Sequence, residues 1–165
     1  MLLVVADTGP LNYLVLIGAI DSLPALFGKV LIPEAVCAEL RHPVAPPAVR
    51  AWATQPPVWF EVRPVVPVAT DALALQVLDD GERAALTLAS AVRADLVLMD
   101  DRAGVTVARA QGFAVTGTLG ILDLAARRGL VDLADAFTRL KATNFRCRRE
   151  IMDAVLAQIR DAEER

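Results

Sequence analysis

Leu2 to Ala6 is an unbroken run of Leu, Val and Ala, and such a run predicts a strand buried on both faces, as in a parallel sheet. Asp7 ends it. Thr8-Gly9-Pro10 breaks the extended pattern, and Leu11, Leu14, Val15 and Ile17 then recur at helical spacing up to Gly18. Leu23, Leu26 and Phe27 predict a second short helix with Gly28 in the place of a C-cap. Lys29 to Ile32 reads as a short strand, and Pro33 opens a helix on which Val36 and Leu40, four apart, share the buried side.

The second half repeats this alternation. Asp79-Asp80-Gly81 is a turn and cap, followed by a helix from Glu82 to about Val92 that buries Ala85, Leu86, Ala89 and Val92. Leu96 to Met99 is another apolar strand and again ends in acid, Asp100-Asp101. Val105 to Ala110 predicts a helix stopped by Gly112, Phe113 to Thr116 a third buried strand, and Leu119 to Arg128 a helix with Gly129 beyond it. Asp132 and Asp135 have the spacing of a helix start, and Cys147 to Arg160 supplies the last helix. Apolar strands alternating with helices predict a three-layer α/β sandwich with a mainly parallel central sheet.

Composition modifies this picture in one place. Pro43 to Pro67 holds seven of the ten prolines and both tryptophans, which predicts an irregular insertion that excludes helix and confines any strand to an edge. The 165 residues, 55% apolar and 22% charged, are expected to form one domain over 1–165, with that insertion at about 43–67 and a basic helical segment at about 127–165. The longest uncharged runs, Thr8 to Ile20 and Ala110 to Leu122, are thirteen residues each, too short to span a bilayer. With no basic flank before the first apolar run, a cytoplasmic location is expected. Cys37 and Cys147 form no CxxC or Cys/His cluster, so neither a disulfide framework nor a thiolate zinc site is expected.

The net charge of −3 argues against nucleic-acid binding by bulk electrostatics, yet 127–149 carries seven Lys and Arg against two Asp. Within it Arg146 and Arg148 are candidate phosphate contacts; the segment could equally meet the acidic surface of a partner, and a solvated face is the plain alternative.

Acids occupy suggestive positions. In parallel sheets ligands bind outside the carboxyl ends of the strands, where both Asp7 and Asp100 stand. If their strands are neighbours, the two carboxylates repel unless a cation or proton intervenes. Glu82, in a first helical turn, and Glu39, near a helix end, complete a set of four oxygen donors suited to Mg²⁺ or Mn²⁺. Asp101 can share that neighbourhood only indirectly, because consecutive residues do not face one point. A divalent ion so held points to hydrolysis of a nucleic-acid backbone.

Asp-Thr-Gly-Pro-Leu at 7–11, Ile-Pro-Glu-Ala-Val with Ala-Glu-Leu at 32–40, Asp-Gly-Glu-Arg-Ala-Ala-Leu at 80–86 and Leu-Val-Leu-Met-Asp-Asp-Arg at 96–102 together resemble the PIN-domain ribonucleases. The likeness is to the bacterial and archaeal branch related to VapC toxins, and Gly-Thr-Leu-Gly-Ile-Leu at 117–122 and Arg-Arg-Gly-Leu at 127–130 extend it. The resemblance implies a Mg²⁺- or Mn²⁺-dependent endoribonuclease with Asp7, Glu39, Glu82 and Asp100 as its acid quartet. Asp7, Glu82 and Asp100 would be the metal ligands, Glu39 would act on the attacking water, and Thr8 and Asp101 would support them. It also implies an RNA substrate, a homodimer and a possible cognate antitoxin. The chain departs from the pattern with Glu rather than Asp at 82, Gly rather than Ser at 9, and the proline-rich stretch.

Other readings compete with this one. A PIN-like module can bind RNA or a protein partner without turnover. Receiver domains and aspartate-nucleophile phosphatases need an acid pair or Asp-x-Asp at the first strand, where this chain has Asp7 and Gly9. No GxGxxG or GxxxxGK[ST] supports a nucleotide cofactor. His42, the sole histidine, is expected to meet the last carbonyls of its helix, and Trp52 and Trp59 either pack on the core or stack on bases.

Overall fold

The structure, a computed structural model, describes residues 2–66, 75–147 and 149–164. Among them, a five-stranded sheet is built from β1 (Val4–Ala6), β2 (Val30–Pro33), β3 (Phe60–Arg63), β4 (Leu96–Leu98) and β5 (Val115–Thr116). The spatial order is β3-β2-β1-β4-β5, with every pairing parallel. Chain order runs outward from β1 to β3 on one side and from β4 to β5 on the other. The topological switch therefore lies between β1 and β4, where Val4, Val5 and Ala6 pair with Leu96, Val97 and Leu98.

The side-chain alternation of a strand explains why helices cover both faces. On one face Val4, Ala6, Ile32 and Leu98 join a core supplied by α1 (Thr8–Leu16), α2 (Ser22–Phe27), α3 (Glu34–Arg41), α4 (Pro47–Thr54), and later helices. On the other, Val5, Leu31, Val97 and Met99 meet α5 (Asp80–Val92) and α6 (Arg102–Ala110) through residues such as Leu86, Ala89 and Ala108. The helices that close the first face are α7 (Thr118–Arg127), α8 (Leu133–Lys141) and α9 (Arg149–Glu164). The α/β sandwich expected from the alternation of runs is the observed one, with the sheet wholly parallel. No helix among the described residues is long and apolar enough to cross a membrane.

One expectation is overturned. The proline-rich stretch contains the helix α4, in which Pro46 is the N-cap and Pro47 takes the first position, where a missing N–H costs nothing. The next proline is Pro56, so the eight residues after Pro47 are free to form α-helix, and Val49 and Ala53, four apart, are buried. β3 does sit at the sheet edge. Trp52 meets Phe60 edge-on at 4.9 Å and Trp59 at 6.0 Å, so both indoles help seat this stretch on the core.

Helix boundaries follow local chemistry. Asp132 accepts from the Asp135 N–H at the start of α8, and Gly28 ends α2 with φ 77°, a backbone region disfavoured for residues with a Cβ. Phe137 is 1% exposed and plugs α8 into the first core. Phe137→Ala is expected to cost about 3–5 kcal/mol. Urea unfolding followed by circular dichroism checks this, and a loss below about 1 kcal/mol would mean α8 is not part of the cooperative core.

Candidate active site

The chain reversals after β1 and β4 bring two acids, Asp7 and Asp100, to the same edge of the sheet, one register position apart. Asp7 is the residue before α1, its N–H donating to Leu98 O at 2.8 Å, so the end of β1 is stitched to the end of β4. It is the N-cap by position, but its side chain makes no capping bond to that helix and is only 6% exposed. The simplest structural use of an Asp before a helix is therefore not the one made here. Burial pushes its carboxyl from an ordinary 3.8 to about 7; the Thr8 backbone N–H opposes this, and repulsion from Glu82, Asp79 and Glu39 adds to it.

Asp100 follows β4 and is fixed by α7. Thr118, fully buried, donates its N–H to Asp100 Oδ1 at 2.7 Å and its hydroxyl to Oδ2 at 2.6 Å. Burial raises the Asp100 pKa and these two bonds oppose the rise. The approach is close: a Cβ on Gly117 would stand 2.6 Å from Asp100 Oδ1, so a residue without a side chain is required there.

Glu39, in the last turn of α3, accepts a short hydrogen bond from the Thr8 hydroxyl. This explains an acid at a helix end where the dipole disfavours one. A Cβ on Gly81 would collide with the Glu39 carboxylate, so α5 approaches α3 at a glycine. Glu82 is 8% exposed and belongs to a capping box: its N–H donates to Asp79 Oδ1 at 2.8 Å, and its own carboxylate accepts from the Asp79 N–H at 3.3 Å. Burial first and the Asp79 charge next raise its carboxyl from 4.5 to about 7, with the Asp79 N–H opposing and Asp101 adding repulsion.

These groups open onto one cleft of about 570 Å³. Asp7, Thr8, Glu39, Glu82, Asp100 and Asp101 line it together with Arg146. Asp101 uses a side-chain oxygen to cap α6 at Gly104 N, 3.1 Å away. Arg148 lies outside the described residues. His42 departs from expectation: its Nδ1 accepts from Val44 N–H at 3.1 Å and so braces a turn. Two members of the site escape sequence reasoning. Asp79 shows its role through the capping-box spacing, whereas Thr118 lies eighteen residues from Asp100 and carries no local signal of its bond to it.

A parallel sheet with acids gathered beyond its switch point, at one cleft, defines the class: an α/β domain with an acidic cleft at the carboxyl edge of its sheet. The model of the DUF3368 family, a PIN domain, matches residues 3–161, and the chain belongs to this family. PIN domains are generally nucleases and typically use divalent metal ions, so a nuclease-type function is the one the family supports. No curated protein and no solved structure matches the chain.

The electrostatics give a prediction of defined sign. Asp7 and Glu82 keep, when folded, protons that the unfolded chain releases near its ordinary carboxylate values. Stability without added metal should therefore fall as pH rises from about 4 to about 7 and level off above that. Asp7→Asn removes one of the ionisations, so its melting temperature relative to wild type should climb across the same window. Thermal melts in EDTA at pH 5 and pH 8 check this, and a constant difference would contradict the buried-charge account.

Proposed function

We propose that this protein is a Mg²⁺- or Mn²⁺-dependent endoribonuclease. The observation that carries the reading is the meeting of Asp7, Glu82 and Asp100 at one cleft, with Asp7 and Glu82 both pushed up to about 7 by burial and by neighbouring acids. The donors are all carboxylate oxygen, the set preferred by hard divalent ions, and the repulsion that Asp7 meets from Glu82, Asp79 and Glu39, and Glu82 from Asp79 and Asp101, is what such an ion relieves. Among the described residues no three acids are arranged to hold an ion as they stand. Three of them instead have protein partners: Thr8 on Glu39, the capping box on Glu82, and Thr118 on Asp100.

In this reading Asp7, Glu82 and Asp100 hold the cation. When bound, it lowers the pKa of a coordinated water and neutralises charge developing on the phosphodiester. Thr118 keeps Asp100 turned toward the cleft. Glu39, held by Thr8, orients the attacking water and accepts its proton. Arg146, at the cleft wall, and Arg148 contact RNA phosphates. The sequence likeness to the VapC-related branch supports RNA as the substrate. A second reading, a PIN module that binds RNA or a partner without turnover, draws on the lack of a ready three-acid cage among the described residues.

Calorimetric titration with Mn²⁺ separates the two. Wild type should bind, and Asp100→Asn should weaken binding by more than about tenfold, the scale on which even groups behind the ligands matter. Cleavage of a single-stranded RNA should vanish in Asp7→Asn with the fold retained; wild-type rates in that variant would remove the mechanism. Joint replacement of Arg146 and Arg148 by Ala should make the log–log salt slope of RNA binding shallower by about 0.7 for each phosphate no longer neutralised. An unaltered slope would leave both arginines to solvent.

A further inference from the structure

The cleft does not end at Asp100. A second cavity of about 280 Å³ adjoins it, and Asp100, Phe145 and Arg146 line both. Its walls include Val105 of α6, Val115 of β5 and Leu119 of α7, with Phe145 also lining it and Arg109 and Arg146 supplying charge. We propose that this cavity is a nucleotide pocket, which takes the base next to the cleaved phosphate of a single-stranded RNA between its apolar walls and that nucleotide's phosphates on Arg109 and Arg146. The proposal rests on the nuclease reading above and deepens it.

Three features carry it. The walls pair apolar surface with an aromatic ring, the combination on which unpaired bases stack. Phe145 is pre-set for such a role. Tyr13 meets it edge-on at 4.9 Å, its N–H donates to Thr143 Oγ1 at 3.1 Å, and the Tyr13 hydroxyl donates to Asn144 Oδ1 at 3.0 Å. The segment between α8 and α9 is thus tied to α1 beside the acids.

The charge is also placed for a phosphate. Among the described residues neither Arg109 nor Arg146 forms an ion pair, which is equally true of Arg102 on the cleft wall, so it is their place on the lining of this cavity that singles them out. Geometry then assigns a direction to the chain of the ligand. The cavity on the opposite flank, about 300 Å³, shares Thr8 and Glu39 with the cleft but is walled by Leu40, Val44, Pro46 and Val49 and has no Lys or Arg among its described lining residues. Of these two flanks, the Arg109 side is the one that offers guanidinium groups to a backbone leaving the acidic centre.

Fluorescence anisotropy of 5′-fluorescein-labelled heptauridylate in EDTA tests the pocket without turnover. Arg109 is exposed, so Arg109→Ala should fold. It should weaken binding about tenfold and lower the log–log salt slope by about 0.7, while Mn²⁺ titration stays at the wild-type value. Phe145→Ala should weaken binding about tenfold with the slope unchanged, and Phe145→Trp should restore it. If wild type binds and cleaves RNA while Arg109→Ala binds equally well with an equal slope, the pocket assignment is overturned and the nuclease reading stands. If wild type neither binds the oligonucleotide nor takes up Mn²⁺, both fall together.

Discussion

Buried negative charge is the constraint around which this molecule is arranged. β1 and β4 are neighbours, Asp7 follows the first directly and Asp100 the second after Met99, and the parallel sheet turns both ends toward the same side. An ionised carboxylate in such a place is costly unless something answers it. The protein answers in part. Thr118 gives Asp100 two hydrogen bonds from the start of α7, Thr8 gives Glu39 one from the start of α1, and the first turn of α5 gives Glu82 the Asp79 N–H. Asp7 has the Thr8 backbone N–H, and it is deeply buried.

The helix starts show how one acid can cap a helix and face the cleft at once. Glu82 completes a capping box and also faces the cleft. Asp101 caps α6 while adding to the local negative potential. Neither use excludes the other, because a carboxylate has two oxygens and several lone pairs.

The sheet and its helices are legible in the sequence because the apolar runs Leu2–Ala6 and Leu96–Met99 hold the buried strands, but the runs overstate them: β1 is Val4–Ala6 with Leu2 and Leu3 exposed, β4 stops at Leu98, and β5, expected as buried over Phe113–Thr116, is the half-buried pair Val115–Thr116. The acids following them stand out for the same reason. What stays hidden is set by contacts distant in sequence. Thr118 reads as an ordinary helix-start residue until the crossover brings α7 against β4. The Thr8–Glu39 bond likewise joins two elements whose meeting depends on the sheet order. α4 hides for a local reason: seven prolines over 43–67 argue against helix as a composition, but their positions leave one gap that begins at Pro47, where proline favours a helix. His42 turns away from its helix because the turn that follows α3 supplies the Val44 N–H, a partner that helical spacing does not reveal.

The sheet's exposed flank has a consequence for how the chain behaves in company. Among the described residues β3 has no strand paired on its outer side, and such an edge is the usual invitation to strand addition and fibrous association. Here the invitation is brief. Pro56 and Pro57 precede the four-residue strand and Pro64 follows it, so an added strand finds little continuous ladder to extend. Glu61, bridged to Lys29 and Arg63, sets charge along that border. The prolines that obscure the helix beside them thus also discourage self-templating along this border, in a chain whose mean hydropathy is +0.46.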